Sequence, residues 1–247
     1  MHHHHHHGGS GLLTDRAATG AAIREGLRWL ADKTDRSSVA VFHYSGHSKK
    51  WRGVDRDGDG EVTDEGLWPT DDDFIVDSEL VALLDPVRPS AFWISFATCN
   101  AAGFADPGLA QPGRVLTFSS GEPQKSYENP SWGHSVWGWF LIEQGMRAGL
   151  ADLDGSGRVS VEEAWTWARP LAIDATRSQR HGSQDAVIVD NLDGELNLGI
   201  PGAPPPASRP APEPAPAPTP SPEQPAPSPE PDREPDRHGG YLCVLCG

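Results

Sequence analysis

Residues 38–48, Ser-Val-Ala-Val-Phe-His-Tyr-Ser-Gly-His-Ser, and residues 91–103, Ala-Phe-Trp-Ile-Ser-Phe-Ala-Thr-Cys-Asn-Ala-Ala-Gly, decide the fold. Each opens on a short apolar run rich in β-branched and aromatic side chains, Ser38 to Tyr44 and Ala91 to Ala97. Each then passes into small, turn-forming residues. Such runs predict buried strands. A third runs from Arg114 to Ser119, and a last short one from Val187 to Asp190. Helical spacing recurs between them. Thr19 caps a segment in which Ile23, Leu27 and Leu30 share a face, ending near Thr34, and a short helix from Ser78 to Leu84 stops before Pro86. Ser135 to Met146 and Val161 to Ala175 also read as helices, the second with a break or kink expected at Pro170. Trp51 to Gly66, acidic and glycine-containing, reads as a long loop. Helices alternating with apolar strands predict an α/β sandwich around a largely parallel sheet.

The chain has 247 residues and a formal charge of −15. Its first eleven positions, a histidine run and a Gly-Ser stretch, read as an expression tag. Sixteen of the 24 prolines fall between Pro201 and Pro235, which predicts an extended, disordered linker over residues 200–240. The remaining stretch, residues 12–199, suits one domain by the usual prior of ~100–200 residues. No run approaches the ~18 apolar residues of a membrane helix, so no membrane association is expected. The acidic balance opposes a broad phosphate-binding surface, so no nucleic-acid partner is expected. Three cysteines cannot make a disulfide framework.

In an open parallel sheet, ligands sit beyond the carboxyl ends of the strands. The first predicted strand runs into His47 and the second into Cys99, so both side chains are delivered to one rim. A cysteine after a strand is by default a buried small hydrophobe, and a loop histidine is by default hydrogen-bonded. Together they suggest more, because an imidazole can generate or stabilise the nucleophilic thiolate. His43, inside the strand, reads as a packed residue.

The run Phe-His-Tyr-Ser-Gly-His before an acidic loop, and the apolar strand ending in a cysteine followed by small residues, resemble the caspase-like peptidases, specifically bacterial metacaspase-type proteins. Leu12 to Leu30 resembles the strand end and helix that precede the histidine strand in that family. Asp55 to Asp72 resembles its acidic loop, and Phe74 to Leu84 the helix that follows. The resemblance implies a three-layer α/β/α caspase-like fold and a cysteine endopeptidase acting on protein or peptide substrates. It implies Cys99 as nucleophile, His47 as acid/base, and an oxyanion hole from the backbone N–H groups of Cys99 and Ser48. The family carries glycine where this chain has Ser48, so a positive φ there would disturb the oxyanion hole. It carries aspartate two residues before the cysteine, where this chain has Ala97. Another acid near the cleft, such as Glu122 in the stretch containing Ser119 and Ser120, would have to receive a basic substrate side chain. The family's first strand and helix have no counterpart before Leu12.

Asp152, Asp154, Ser156, Gly157, Arg158, Ser160 and Glu163 stand at positions 1, 3, 5, 6, 7, 9 and 12 of an EF-hand-type loop. That pattern predicts a calcium site, with the Arg158 carbonyl as one ligand; the rival reading is a solvated acidic turn capping a helix. Asp55, Asp57, Asp59 and Glu61 begin the same pattern, but position 12 is Gly66. A distorted calcium site, closed by Asp64 or Glu65, and a merely acidic loop remain open there. The resemblance itself also implies calcium dependence.

Tyr241-Leu242-Cys243-Val244-Leu245-Cys246 is a compact apolar segment after the linker. It reads as an unstructured tail, as a strand filling the slot of the family's first strand, or as half a zinc site. The Pro-rich stretch offers a docking segment for a PxxP-reading partner, or a plain spacer. A thiol that must stay reduced favours the cytoplasm. The rival function is a non-catalytic caspase-like binding module or calcium-responsive scaffold.

Overall fold

The computed structural model describes residues 18–52, 63–203, 233–235 and 241–244. Helix α1 (Gly20–Lys33) precedes strand β1 (Val39–Ser45); β2 (His47–Arg52) and β3 (Thr63–Trp68) form an antiparallel pair, and β4 (Ile75–Val76) adds to β3. Then come α2 (Asp77–Leu84), β5 (Ala91–Ala97), β6 (Arg114–Phe118), β7 (Tyr127–Asn129) and β8 (His134–Ser135). Helix α3 begins at Val136–Gly138 and continues as a π-helix over Trp139–Arg147. The chain then forms β9 (Arg158–Ser160), α4 (Val161–Thr176), β10 (Val187–Asp190), β11 (Asn197–Pro201), β12 (Arg233–Pro235) and β13 (Tyr241–Val244).

The central sheet runs β1-β5-β6-β10, with the first three strands parallel and β10 antiparallel. β5 is covered on both faces, which explains its continuous apolar run. Side chains alternate across it. Phe92, Ile94 and Phe96 join Ile23 and Leu27 of α1 and Leu80 and Leu84 of α2. Trp93 and Ala97 join Trp137, Leu141, Ala164 and Ala168 of α3 and α4 on the other face. Phe96 stacks between Phe104 and Phe118, at centroid distances of 5.1 and 5.6 Å. Each such buried ring is worth about 1.5–3 kcal/mol of burial. The fold is the expected three-layer α/β/α sandwich.

The caps read from sequence hold. Thr19 accepts the N–H of Ala22 at 3.1 Å, and α1 ends at Thr34. Three expectations need correction. The stretch from Trp51 to Gly66 is not loop throughout, because both its ends pair in the β2–β3 ladder; residues 53–62, with Asp55, Asp57, Asp59 and Glu61, lie outside the described residues. Of the break or kink expected at Pro170, the break does not occur: helix α4 runs through it as one helix. Pro170 sits on the exposed face, where water can satisfy the carbonyl that its missing N–H leaves. The helix expected from Ser135 is largely π-type, with Ala148 N–H bonded to Glu143 C=O at 3.0 Å; an apolar pattern over so few turns does not distinguish the two pitches.

The apolar C-terminal segment is also not a free tail in its backbone. β13 pairs antiparallel with β7, and β12 pairs with β13. It therefore joins the sheet of β7 and β8 and not the central sheet. Residues 204–232 lie outside the described residues. Among the described residues, no helix is long and apolar enough to cross a membrane.

Candidate active site

β1 and β5 run in register from Val39↔Ala91 to Ser45↔Ala97, so both end at the same level. The ladder extends one step further, with Gly46 N–H bonded to Ala97 C=O at 3.2 Å. The chain then turns into β2, which starts with His47. Tyr44 O–H donates to the His47 carbonyl at 2.6 Å, fixing this turn from below. Trp68, opposite His47 in the β2–β3 ladder, presents its ring edge-on at 6.4 Å. The decisive contact is one residue on: Ser48 Oγ donates to the Cys99 carbonyl at 2.8 Å. Segments 51 positions apart are thus joined directly at the strand rim. Ser48 lies in extended β2; the non-glycine residues with positive φ among those described are Asp72 and Asn100. A serine at this position therefore carries no backbone strain.

The cysteine turn is braced by hydroxyls. Three serines crowd the Thr98 carbonyl: Ser126 at 2.6 Å, Ser119 at 3.0 Å and Ser120 at 3.3 Å. Ser119 Oγ also accepts the Thr98 N–H at 3.0 Å and lies 2.7 Å from Ser126 Oγ. Ser120 Oγ accepts the Ala101 N–H at 3.3 Å. Asn100, at φ 53°, makes the sharp turn after the cysteine, and its N–H donates to Gln124 C=O at 2.8 Å. A left-handed turn favours asparagine among non-glycine residues.

Cys99 itself is fully buried and disulfide-bonded. The Ser126 N–H points at its Sγ from 3.3 Å.

The residues expected around the substrate separate into two groups. Ser119 and Ser120 are buried, and their hydroxyls face the backbone of the cysteine turn. Ala97 is buried, paired with Ser45. Glu122 is exposed, 3.9 Å from Lys50 Nζ, which also lies 3.8 Å from Glu65. The sequence reading missed Ser126, for which no local pattern exists, and treated Glu65 only as a substitute ligand. Glu65 is buried beside the cysteine turn, where a Cβ at Gly103 would come within 2.9 Å of its carboxylate.

In the loop that leads into α4, carboxylate oxygens of Asp152, Asp154 and Glu163 all lie within 4.8 Å of one another. Ser156 N–H donates to Asp152 and Asp154, at 3.1 and 3.0 Å, and Gly157 N–H to Asp152 at 2.9 Å. Hydrogen bonds from the Ser156 hydroxyl and N–H hold Asp154 below the usual carboxylate range. Glu163 accepts from Leu153 and Asp154 N–H on one oxygen and from Ser160 N–H on the other. Ser160 Oγ returns the favour to Glu163 N–H at 3.0 Å, closing a capping box at the start of α4. Arg158 is exposed, and its carbonyl accepts from Ser156 Oγ at 3.1 Å.

A metacaspase peptidase C14 domain model matches residues 6–106, the stretch carrying both strand ends, His47 and Cys99. Metacaspase-4 of Arabidopsis thaliana is 30% identical over 114 residues, which is 46% of this chain. Over that stretch the chain is similar to the metacaspase-type, caspase-like proteins. The chain matches 27% of the length of that Arabidopsis protein. A crystal structure of a Geobacter sulfurreducens protein superposes with a TM-score of 0.50 at 16% identity, covering 79% of this chain and 78% of that one. That likeness concerns the fold.

Proposed function

We propose that this chain is a cysteine endopeptidase that hydrolyses peptide bonds in protein substrates, with Cys99 as nucleophile and His47 as acid/base. One observation carries the reading: the Ser48–Cys99 hydrogen bond, which holds the residue after the histidine against the cysteine. The reduced thiolate attacks the substrate carbonyl, His47 protonates the leaving amine, and water then hydrolyses the thioester.

The serine cluster supports the oxyanion step. A peptide unit is planar and trans, so its N–H points opposite to its C=O. Three hydroxyls on the Thr98 carbonyl therefore aim the Cys99 N–H away from the serines. A donor held in place before the charge develops needs no reorganisation, and such donors are worth about 2.7–4 kcal/mol each. With Ala97 in place of an acid, strict preference for a basic P1 residue is not expected.

Calcium is the proposed ligand of the second site. Three carboxylates converging within 4.8 Å, at EF-hand spacing, fit a hard cation that takes oxygen ligands. Asp152, Asp154 and Glu163 would hold it, with the Ser156 hydroxyl and the Arg158 carbonyl. The ion would neutralise their mutual repulsion and tie the loop to α4.

The test is a peptide library incubated with the reduced protein in calcium. Cleavage by the parent chain is expected, with loss of at least about a thousandfold in Cys99→Ala and a large loss in His47→Ala. A reduced, calcium-loaded chain that cleaves nothing would make it a binding module.

A further inference from the structure

A cavity of about 220 Å³ opens at the amino ends of the parallel strands, the rim opposite the one that carries His47 and Cys99. Three guanidinium groups line it. Arg36 comes from the turn between α1 and β1, Arg88 from the turn between α2 and β5, and Arg114 is the first residue of β6. The chain as a whole carries a formal charge of −15, so three converging arginines reverse its sign locally. We propose that this cavity is a binding site for a phosphate dianion, free or as the terminal group of a small phosphomonoester.

The charges around the cavity are short of a partner. Arg114 is buried, with Nη1 donating to the Leu109 carbonyl at 3.1 Å and Nη2 to those of Leu84 and Val87 at 2.8 and 3.2 Å. The Phe92 ring, opposite it on β5, lies 5.3 Å from the guanidinium carbon. These contacts fix the group without neutralising it, because among the described residues no carboxylate forms an ion pair with it. A guanidinium keeps its proton in a protein, so the buried charge is permanent. Burial and the nearby Arg88 both press its pKa down, against a weaker pull from Asp85. Arg36 is exposed, and its side chain makes no hydrogen bond or ion pair among the described residues. Arg88 places Nε on the Asp85 carbonyl and Nη2 on the Asp85 carboxylate, at 3.1 and 3.2 Å, which leaves its Nη1 for a ligand. The same carboxylate accepts from Gln111, another lining residue, at 2.9 Å. Three cations against the single charge of Asp85 leave two positive charges, the complement of a dianion.

Geometry favours phosphate over a carboxylate. One planar guanidinium fork is enough to saturate a flat carboxylate, whereas forks from three segments suit a tetrahedral group with several terminal oxygens. Around buried Arg114 the low dielectric strengthens each charge-assisted bond. The ligand would bridge the starts of β1, β5 and β6, which already meet there: Ser90 N–H donates to Ser38 C=O at 2.9 Å, and Phe92 N–H to Gly113 C=O at 3.0 Å. Binding to this folded arrangement alone stabilises the domain. The site lies a sheet's length from the proposed peptidase chemistry and does not depend on it.

The test is calorimetric titration of the full-length chain in phosphate- and calcium-free buffer at about pH 8, where the histidine run is neutral. The titrants are inorganic phosphate and phenyl phosphate, with acetate for comparison. Saturable one-to-one binding of a phosphate titrant is expected, weakened roughly tenfold or more in Arg36→Gln and in Arg88→Gln. Arg147→Gln, which removes an exposed arginine that pairs with Glu143 and does not line the cavity, should bind as the parent does. Arg36→Gln should also melt like the parent without phosphate and lose the rise in melting temperature that phosphate produces. Tighter binding of phenyl phosphate would identify a phosphomonoester as the ligand, and equal or weaker binding the free ion. No saturable heat with either titrant at millimolar concentration, acetate binding as tightly as phosphate, or equal weakening in Arg147→Gln would overturn the site. His47 and Cys99 take no part in these readouts, so either result leaves the peptidase reading untouched.

Discussion

At the scale of single residues, the site depends on hydroxyls more than on charges. Ser126 touches the proposed reacting centre twice, through its Oγ on the Thr98 carbonyl and its N–H at the Cys99 sulfur. Ser126→Ala keeps the backbone contact and removes the shortest of the three bonds that orient the Thr98–Cys99 peptide. A donor displaced by a fraction of an ångström loses transition-state stabilisation while ground-state binding survives. Steady-state kinetics of reduced Ser126→Ala should show kcat reduced roughly 10- to 100-fold with KM little changed. A change confined to KM would place Ser126 in substrate binding instead. Ser48 answers the question its identity raised. It lies in a strand, where glycine's conformational range is not needed, and its hydroxyl gains a partner that glycine would lack.

At the scale of elements, the acidic loop and α4 share their polar groups. Ser160 and Glu163 form the capping box, and Glu163 also gathers the N–H groups of Leu153 and Asp154. The two readings weighed from sequence, calcium loop and helix cap, use the same side chains and are therefore not exclusive. Ser160→Ala should lower unfolding stability by about 1 kcal/mol in denaturant titration, the usual cost of losing an N-cap. It removes no carboxylate, so calorimetric calcium binding should survive it. Asp154→Ala should show the opposite pattern, abolishing calcium heat with little cost to the apo domain, because Asp154 is exposed. Equal loss of calcium binding in both variants would count against separate roles.

At the scale of the molecule, a proposed ligand bears on the domain: an ion in the loop that leads into α4. β11, paired with β9, leads the chain out past the acidic loop, with Gly202 N–H bonded to Gly157 C=O at 2.9 Å. A Cβ at Gly202 would come within 2.8 Å of the Asp152 carboxylate carbon, so this exit strand lies against the calcium candidate. Ion binding to the folded domain alone should raise its melting temperature with calcium concentration and reverse in excess chelator. Differential scanning calorimetry of the reduced full-length chain checks this; an unchanged transition across the calcium range would remove the ion from the account.

What local order could reveal, the amino-acid sequence revealed by itself. Strand runs and helix caps are short-range patterns, so β1, β5, β6, α1 and α2 were legible, and with them the placing of His47 and Cys99 just beyond strand ends. EF-hand spacing is equally local, and Asp152, Asp154 and Glu163 do converge. The tertiary structure alone decided which distant groups meet. Ser126 reaches Thr98 across 28 positions, the acidic stretch closes into β2–β3, and β13 crosses to β7. Pairing of that kind depends on edges and carbonyls left open elsewhere in the fold, and those have no signature in the residues that come to fill them.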